Sequence, residues 1–190
     1  KVREAKRPVI NAGNGIRIGK AFDVFQRVVE MLGIPVVTGW NSLDCMYDSH
    51  PLYVGRAGHM GDRPGNFAVQ NCDLLLSLGS RLSIRQVGYN YPTWAREAYV
   101  IYNDIDAEEL KKPTVHVDMP VHADVKDLLE KMEMVLEVEA VSADGGPKDK
   151  EAVDGWISRC QQWKEKYPVV LPKHYEAGDD KPANIYAAIK

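Results

Sequence analysis

Asp73-Leu74-Leu75-Leu76-Ser77-Leu78-Gly79 decides the architecture. An acid opens the run, a glycine closes it, and nearly every position between is apolar. A strand with one wet face would alternate, so this one is buried on both faces, as strands of parallel sheets are. Outward from it, Pro8-Val9-Ile10-Asn11-Ala12-Gly13 and Pro35-Val36-Val37-Thr38-Gly39 read as two earlier strands. Tyr99-Val100-Ile101-Tyr102 leads a fourth, and Val115-His116-Val117 is read as a fifth. Helical spacing lies between them. Phe22, Phe25, Val28, Val29 and Leu32 share one face that Gly33 ends. Val125, Leu128, Leu129, Met132, Val135 and Leu136 share another, with Asp124 placed as its N-cap. Strands alternating with helices imply an α/β fold with a mainly parallel sheet covered on both sides.

The 190 residues suit one such domain, with 45% apolar residues to fill its core. A formal charge of -3 with no basic block argues against a nucleic-acid or anionic-membrane surface. No apolar run approaches the ~20 residues that span a bilayer, and no secretory leader is read. Cys45, Cys72 and Cys160 are odd in number and without CxxC grouping, so free, buried thiols in a reducing cytoplasm are expected rather than a disulfide framework or a metal site. The opening at Lys1 and the close at Lys190 inside a helical pattern suggest a piece of a longer chain. Residues 139–150, polar and glycine-containing, read as a linker. Beyond it, Val153, Trp156, Ile157, Cys160 and Trp163 form an apolar helical face that Tyr167-Pro168 stops. Residues 151–190 therefore read as a helical extension leading into another domain, poorly packed without it.

Ligands of open parallel sheets bind at the carboxyl ends of the strands. Gly13-Asn14-Gly15-Ile16-Arg17-Ile18-Gly19 follows the first strand, one residue longer than a GxGxxG loop, and suits either a phosphate or simple turn geometry. Thr38-Gly39-Trp40 ends the second strand where a nicotinamide site would want an acid. Gly55 through Asp62 is read as a second glycine loop, and Gly79-Ser80-Arg81-Leu82-Ser83-Ile84-Arg85 as a third. Arg81 and Arg85 suit a pyrophosphate or polyol, or they pair with acids such as Asp104 and lock loops. His59 lacks a partner at catalytic spacing, and His116 and His122 lack ligand spacing, so no catalytic or metal-binding residue is assigned. Trp156 and Trp163, seven residues apart, suit packing better than substrate stacking.

RPVINAGNG, PVVTG, GHMGDRPGNFAVQNCDLLLSLGSRL, VIYNDIDAEEL and VHADVKDLL, in that order, resemble the central domain of thiamine-diphosphate enzymes of the acetolactate-synthase type. The resemblance covers about residues 7–137, and WKEKYP looks like the entry to that family's C-terminal catalytic domain. It implies a doubly wound, Rossmann-like three-layer sandwich of about six strands, with residues 1–138 as the central domain. It implies thiamine diphosphate and magnesium in the intact enzyme, held by a glutamate-bearing domain and a GDG…N motif that this sequence does not contain; Asp144-Gly145-Gly146 is no substitute. It further implies a scaffold that is inactive by itself, in an enzyme that decarboxylates a 2-keto acid and joins the fragment to an acceptor carbonyl. The implied partners are the other domains of the same chain in a cytoplasmic homodimer or homotetramer. FAD or another ADP-containing nucleotide is implied at Gly13, Asn14, Gly15, Thr38, Gly39, Gly58, His59, Met60, Gly61, Gly79, Ser80, Arg81, Arg85, Asp104, Ile105, Asp124 and Val125. The sequence departs from the family in its His59-Met60 order, in Asn14 for a glycine and in Ser83 for an acid. A stand-alone dinucleotide-binding oxidoreductase and a structural domain with a vestigial pocket are the alternatives.

Overall fold

The computed structural model describes residues 1–140, 147–176 and 184–188. Six strands form one sheet: β1 (Pro8–Ala12), β2 (Val36–Thr38), β3 (Tyr53–Arg56), β4 (Leu74–Leu78), β5 (Tyr99–Asp104) and β6 (Met119–His122). Their order is β3-β2-β1-β4-β5-β6 and every pairing is parallel. The chain thus winds outward from β1 to one edge, returns to β4, and winds to the other. That reversal between β1 and β4 is the switch point of a doubly wound α/β fold.

The leucine run behaves as its pattern demands. Leu74, Leu76 and Leu78 enter the core on one face of the sheet, with Ile10, Val36 and Ile101, while Leu75 enters the core on the other with Val9, Val37 and Val100. The first face is covered by α1 (Gly15–Ile18), α2 (Phe22–Leu32) and α5 (Val125–Ala140), and the second by α3 (Arg63–Asn71) and α6 (Lys150–Lys166). In α2, Phe25, Val28 and Val29 are buried, and Gly33 closes the helix at φ +60, a left-handed position that glycine adopts without penalty. Arg27 of α2 pairs with Glu133 of α5, and these two helices pack side by side. The short α4 (Ile84–Val87) lies over the carboxyl end of the second face, and α7 (Ile185–Ala188) is the last described element.

The two edge strands depart from the sequence reading. β3 runs into the stretch read as a glycine loop; Gly55 and Arg56, the first two residues of that stretch, break its apolar run, yet they pair with Val37 and Thr38. Val115–Val117 is not a strand. The chain pairs instead through β6, whose residues are mostly exposed and include Pro120 opposite Tyr102. Only an edge tolerates a proline and so little burial, because one side of the strand needs no partner.

The C-terminal helix departs too. Val153, Trp156 and Cys160 of α6 are 3%, 5% and 0% exposed, and the Trp156 indole N–H donates to the Pro8 carbonyl at 3.1 Å. Trp163 meets Trp156 and Phe67 edge to face, with centroids 5.6 and 5.5 Å apart. α6 therefore forms a covering layer of the sheet, unlike the poor packing expected of the stretch that contains it, because its apolar stripe has an uncovered face to fill. Tyr167 ends α6, as its Pro168 neighbour requires. Of the stretch read as a linker, Glu139 and Ala140 close α5 and Lys150 opens α6; Asp144-Gly145-Gly146 lies outside the described residues.

Candidate functional site

A wholly parallel sheet sends every strand-to-helix turn to one edge. The turns after β1, β2, β3, β4, β5 and β6 therefore bring all the candidate residues to the carboxyl edge. Burial divides them. Thr38 is fully buried, with its hydroxyl 3.1 Å from that of Tyr53. Gly13, Gly39 and Gly58 are buried and Val125 belongs to the core. His59, Met60, Arg81, Arg85 and Ile105 are exposed, and Asn14, Gly15, Gly61, Gly79, Ser80 and Asp124 are half-buried. Only the latter two groups can meet a ligand directly.

The first glycine loop has a structural task. The Gly13 N–H donates to the Leu78 carbonyl and the Gly15 N–H to the Gly79 carbonyl, each at 2.9 Å, so neither amide is available to a phosphate. A Cβ on Gly13 would lie 2.2 Å from the Cα of Ser80 and 2.3 Å from the carbonyl oxygen of Gly79. The turns after β1 and β4 thus touch backbone to backbone. Gly79, Arg81 and Leu82 hold φ values of +56, +56 and +38, left-handed geometry that disfavours the two non-glycine residues.

A buried polar chain holds that turn from beneath. Gln86 Nε2 donates to Asn11 Oδ1 at 3.0 Å, and Asn11 Nδ2 donates to Ser77 Oγ at 3.0 Å. Ser77 Oγ lies 2.7 Å from Ser80 Oγ, which accepts from the Leu82 N–H at 3.3 Å. Asn11 and Ser77 are register partners on β1 and β4, so the two polar residues that interrupt the apolar runs satisfy each other. The sequence reading missed this pair; its signal was two lone polar residues inside strands that are otherwise apolar. The α4 turn also grips the loop after β3: the His59 N–H donates to the Arg85 carbonyl at 3.0 Å and His59 Nδ1 lies 2.9 Å from the same oxygen. A cavity of about 10 Å³ remains between Trp40, Arg56, Ala57, His59, Met60 and Arg85, room for a single water at most. Arg56 is held by Asp62 at 2.6 Å.

Charge is concentrated after β4 and β5. Arg81 lies 3.9 Å from Asp106, with both side chains well exposed, a pair worth little in water. Asp104, considered as an arginine partner, is instead buried. It accepts from the Tyr102 hydroxyl at 3.2 Å and from the Asp106 N–H at 3.0 Å. Burial, followed by the Asp104 charge, drives the Tyr102 phenol far above its ordinary range, so it remains a donor. The Lys112 ammonium caps the Arg81 carbonyl. Arg85 has no side-chain partner among the described residues. Asn103 donates through Nδ2 to Val121 and Ala123, but its fully buried Oδ1 has no donor among the described residues. Asp124 Oδ1 accepts from the Lys126 N–H at 2.7 Å, capping α5 as expected.

A family model described as "Thiamine pyrophosphate enzyme, central domain" matches residues 1–132. This chain belongs to that family. Its relatives include a probable acetolactate synthase large subunit of Methanococcus aeolicus, 34% identical over 184 residues, covering 97% of this chain and 30% of the relative. A second is the corresponding protein of Methanocaldococcus jannaschii, 35% identical over 164 residues, covering 86% of this chain and 26% of the relative. A third is the acetolactate synthase large subunit of Lactococcus lactis, 36% identical over 164 residues, with the same shares. The chain thus spans less than a third of these proteins. In this thiamine pyrophosphate enzyme central domain, the doubly wound sheet and its edge of turns are the features that the sequence resemblance implied.

The central domain shows no group of three or more metal-binding side chains among its described residues, and none of its described helices is long and apolar enough to cross a membrane. His116 pairs with Asp118 and His122 Nε2 lies 3.0 Å from the Ile105 carbonyl. Its three cysteines are free and buried, as expected. Burial pushes the Cys45 thiol up to about 11 and those of Cys72 and Cys160 up to about 12. Below these values the neutral thiol dominates, so at pH 8 almost no thiolate exists in the folded state. All three should resist a disulfide-exchange reagent at pH 8 and react together on adding denaturant. Fast labelling of one thiol in the folded protein would contradict this packing.

Proposed function

We propose that this central domain serves a longer thiamine-diphosphate-dependent enzyme that decarboxylates a 2-keto acid and joins the product to an acceptor carbonyl. We propose further that its carboxyl edge carries FAD or another ADP-containing nucleotide. The family match and the names of the relatives support the first part. Thiamine diphosphate, with magnesium, would supply the electron sink of such a reaction. This chain would contribute the scaffold, with its other domains as partners in a cytoplasmic homodimer or homotetramer.

The observation that carries the nucleotide reading is the pair of exposed guanidinium groups, Arg81 and Arg85, on one rigidly held turn at the switch-point edge. The fit is to an extended ligand lying across the edge. Phosphates would meet arginine side chains rather than the Gly13 and Gly15 amides, which are committed to β4 and its turn. Thr38 and Gly39 place no carboxylate at the end of β2, which weighs against a nicotinamide-dependent oxidoreductase. The interlocked glycines favour the second reading, a vestigial pocket whose loops serve only each other.

FAD and ADP affinity of the full-length protein, compared with Arg81→Ala and Arg85→Ala, separates these readings. A charge-assisted hydrogen bond contributes about 1.5–3 kcal/mol, so each variant should bind about 10- to 150-fold more weakly. The melting temperature should hold, because Arg81 has only an exposed ion pair to lose. Unchanged affinity, or no binding by the parent, would favour the vestigial reading. Consumption of pyruvate dependent on thiamine diphosphate and magnesium tests the reaction.

A further inference from the structure

The edge of the sheet opposite those turns holds a cavity of about 520 Å³. Its walls are the residues that enter β1 and β5, the end of α3, and one face of α6. The volume falls within the range of small-molecule pockets. Four cations line it, Lys6, Arg7, Arg96 and Arg159, with Glu97 among them and the carboxylates of Asp73 and Asp149 against Lys6 and Arg7. The chain as a whole is anionic, at -3, so this is a local excess of positive charge.

Internal pairing leaves much of that charge uncompensated. Lys6 lies 3.3 Å from Asp149, and Arg96 lies 3.8 Å from Glu97 with both groups more than half exposed. Arg7 donates through Nε to the Asn71 carbonyl, which is neutral. Arg159 has no hydrogen-bond or ion-pair partner among the described residues. Arg7 and Arg159 thus keep guanidinium groups with no ion-pair partner among the described residues, and an anion in the cavity would relieve them.

Gly155 supplies the independent observation. It sits inside α6, where glycine is about 1 kcal/mol less favourable than alanine. A Cβ built there meets nothing within 4 Å, so no contact within the described chain requires glycine. It nevertheless lines the cavity. A bare backbone there leaves room for something outside this chain. Trp163, half-buried and backed edge to face by the buried Trp156, supplies aromatic surface beside it.

We infer that this cavity binds a nucleoside phosphate, with phosphates on Arg159, Arg96 and Arg7 and the planar base against Gly155 and the half-buried Trp163. It is a second site, separate from the carboxyl edge, and does not depend on a nucleotide binding there. The test uses full-length protein carrying Arg81→Ala and Arg85→Ala, so that carboxyl-edge binding is removed. ADP should bind saturably by calorimetry and quench tryptophan emission. Adding Arg159→Ala should weaken ADP about tenfold or more. Adding Gly155→Leu, at an exposed helical position, should abolish binding with no fall in melting temperature. Inorganic pyrophosphate should bind at least tenfold more weakly than ADP, since it lacks the base. Absence of saturable ADP binding, indifference to both added substitutions, or equal affinity for pyrophosphate would each overturn the inference. Loss of oligomeric assembly in the Gly155→Leu protein without ADP binding in its parent would assign the cavity to a protein partner and overturn it as well.

Discussion

Gly13→Ala should destabilise the protein by about 3 kcal/mol, the upper end of ordinary overpacking. The added Cβ would meet backbone, 2.2 Å from Ser80 Cα, and backbone cannot swing aside as a side-chain tip can. Relief requires parting the turns after β1 and β4. That disturbs the Gly13–Leu78 and Gly15–Gly79 hydrogen bonds and the serine contact beneath them. Such a loss is a large share of the 5–15 kcal/mol that holds a typical domain folded. Urea unfolding of parent and variant measures it, with Gly155→Ala as the contrasting control. In α6 the new methyl meets open space, and stability should rise by about 1 kcal/mol. A Gly13→Ala protein with the parent's midpoint would show that the two turns are not locked together.

The second large effect is expected at Trp156. Truncation to alanine removes a nearly fully buried indole and leaves the Pro8 carbonyl without its donor. Large-to-small changes of this kind destabilise by about 3–5 kcal/mol. The damage should be local at first: α6 loses its central anchor on the second face of the sheet, exposing Cys160 and the backbone at the start of β1. Limited proteolysis should then cut within 150–166 before the sheet core. Trp156→Phe keeps most of the apolar contact but not the donor, and should lie between parent and alanine variant. A loss under 1 kcal/mol on truncation would mean that α6 is an appendage, as the sequence reading of 151–190 supposed.

The fold was legible where burial imposes a pattern. The leucine run, Val9-Ile10 and Val36-Val37 are apolar on successive residues because helices cover both faces of the inner strands, and that cannot be hidden in a sequence. β3 and β6 were not legible for the converse reason. Edge strands need half the partners, so Gly55, Arg56 and Pro120 are tolerated and the apolar signal disappears. The family and the edge that gathers the turns were legible too, since glycines and short charged motifs fall after each inner strand.

What each glycine does was not legible. Gly13 could be cleared for a phosphate or for another stretch of chain, and both uses leave the same letter. Which arginine meets which acid was equally undetermined: Arg81 finds Asp106, while Asp104 turns inward to Tyr102. The sequence alone determined the class of fold, the order of its inner strands' apolar runs and the family, because these follow from periodicity and from motifs carried in short contiguous stretches. Only the tertiary structure decided that β1 and β4 lie side by side, that Asn11, Ser77 and Gln86 form one buried chain, and that α6 closes the sheet. Those contacts join residues 66 to 148 positions apart. Local sequence holds no record of such separations; they arise when the strands twist into one sheet and leave a face that only the last long helix is placed to cover.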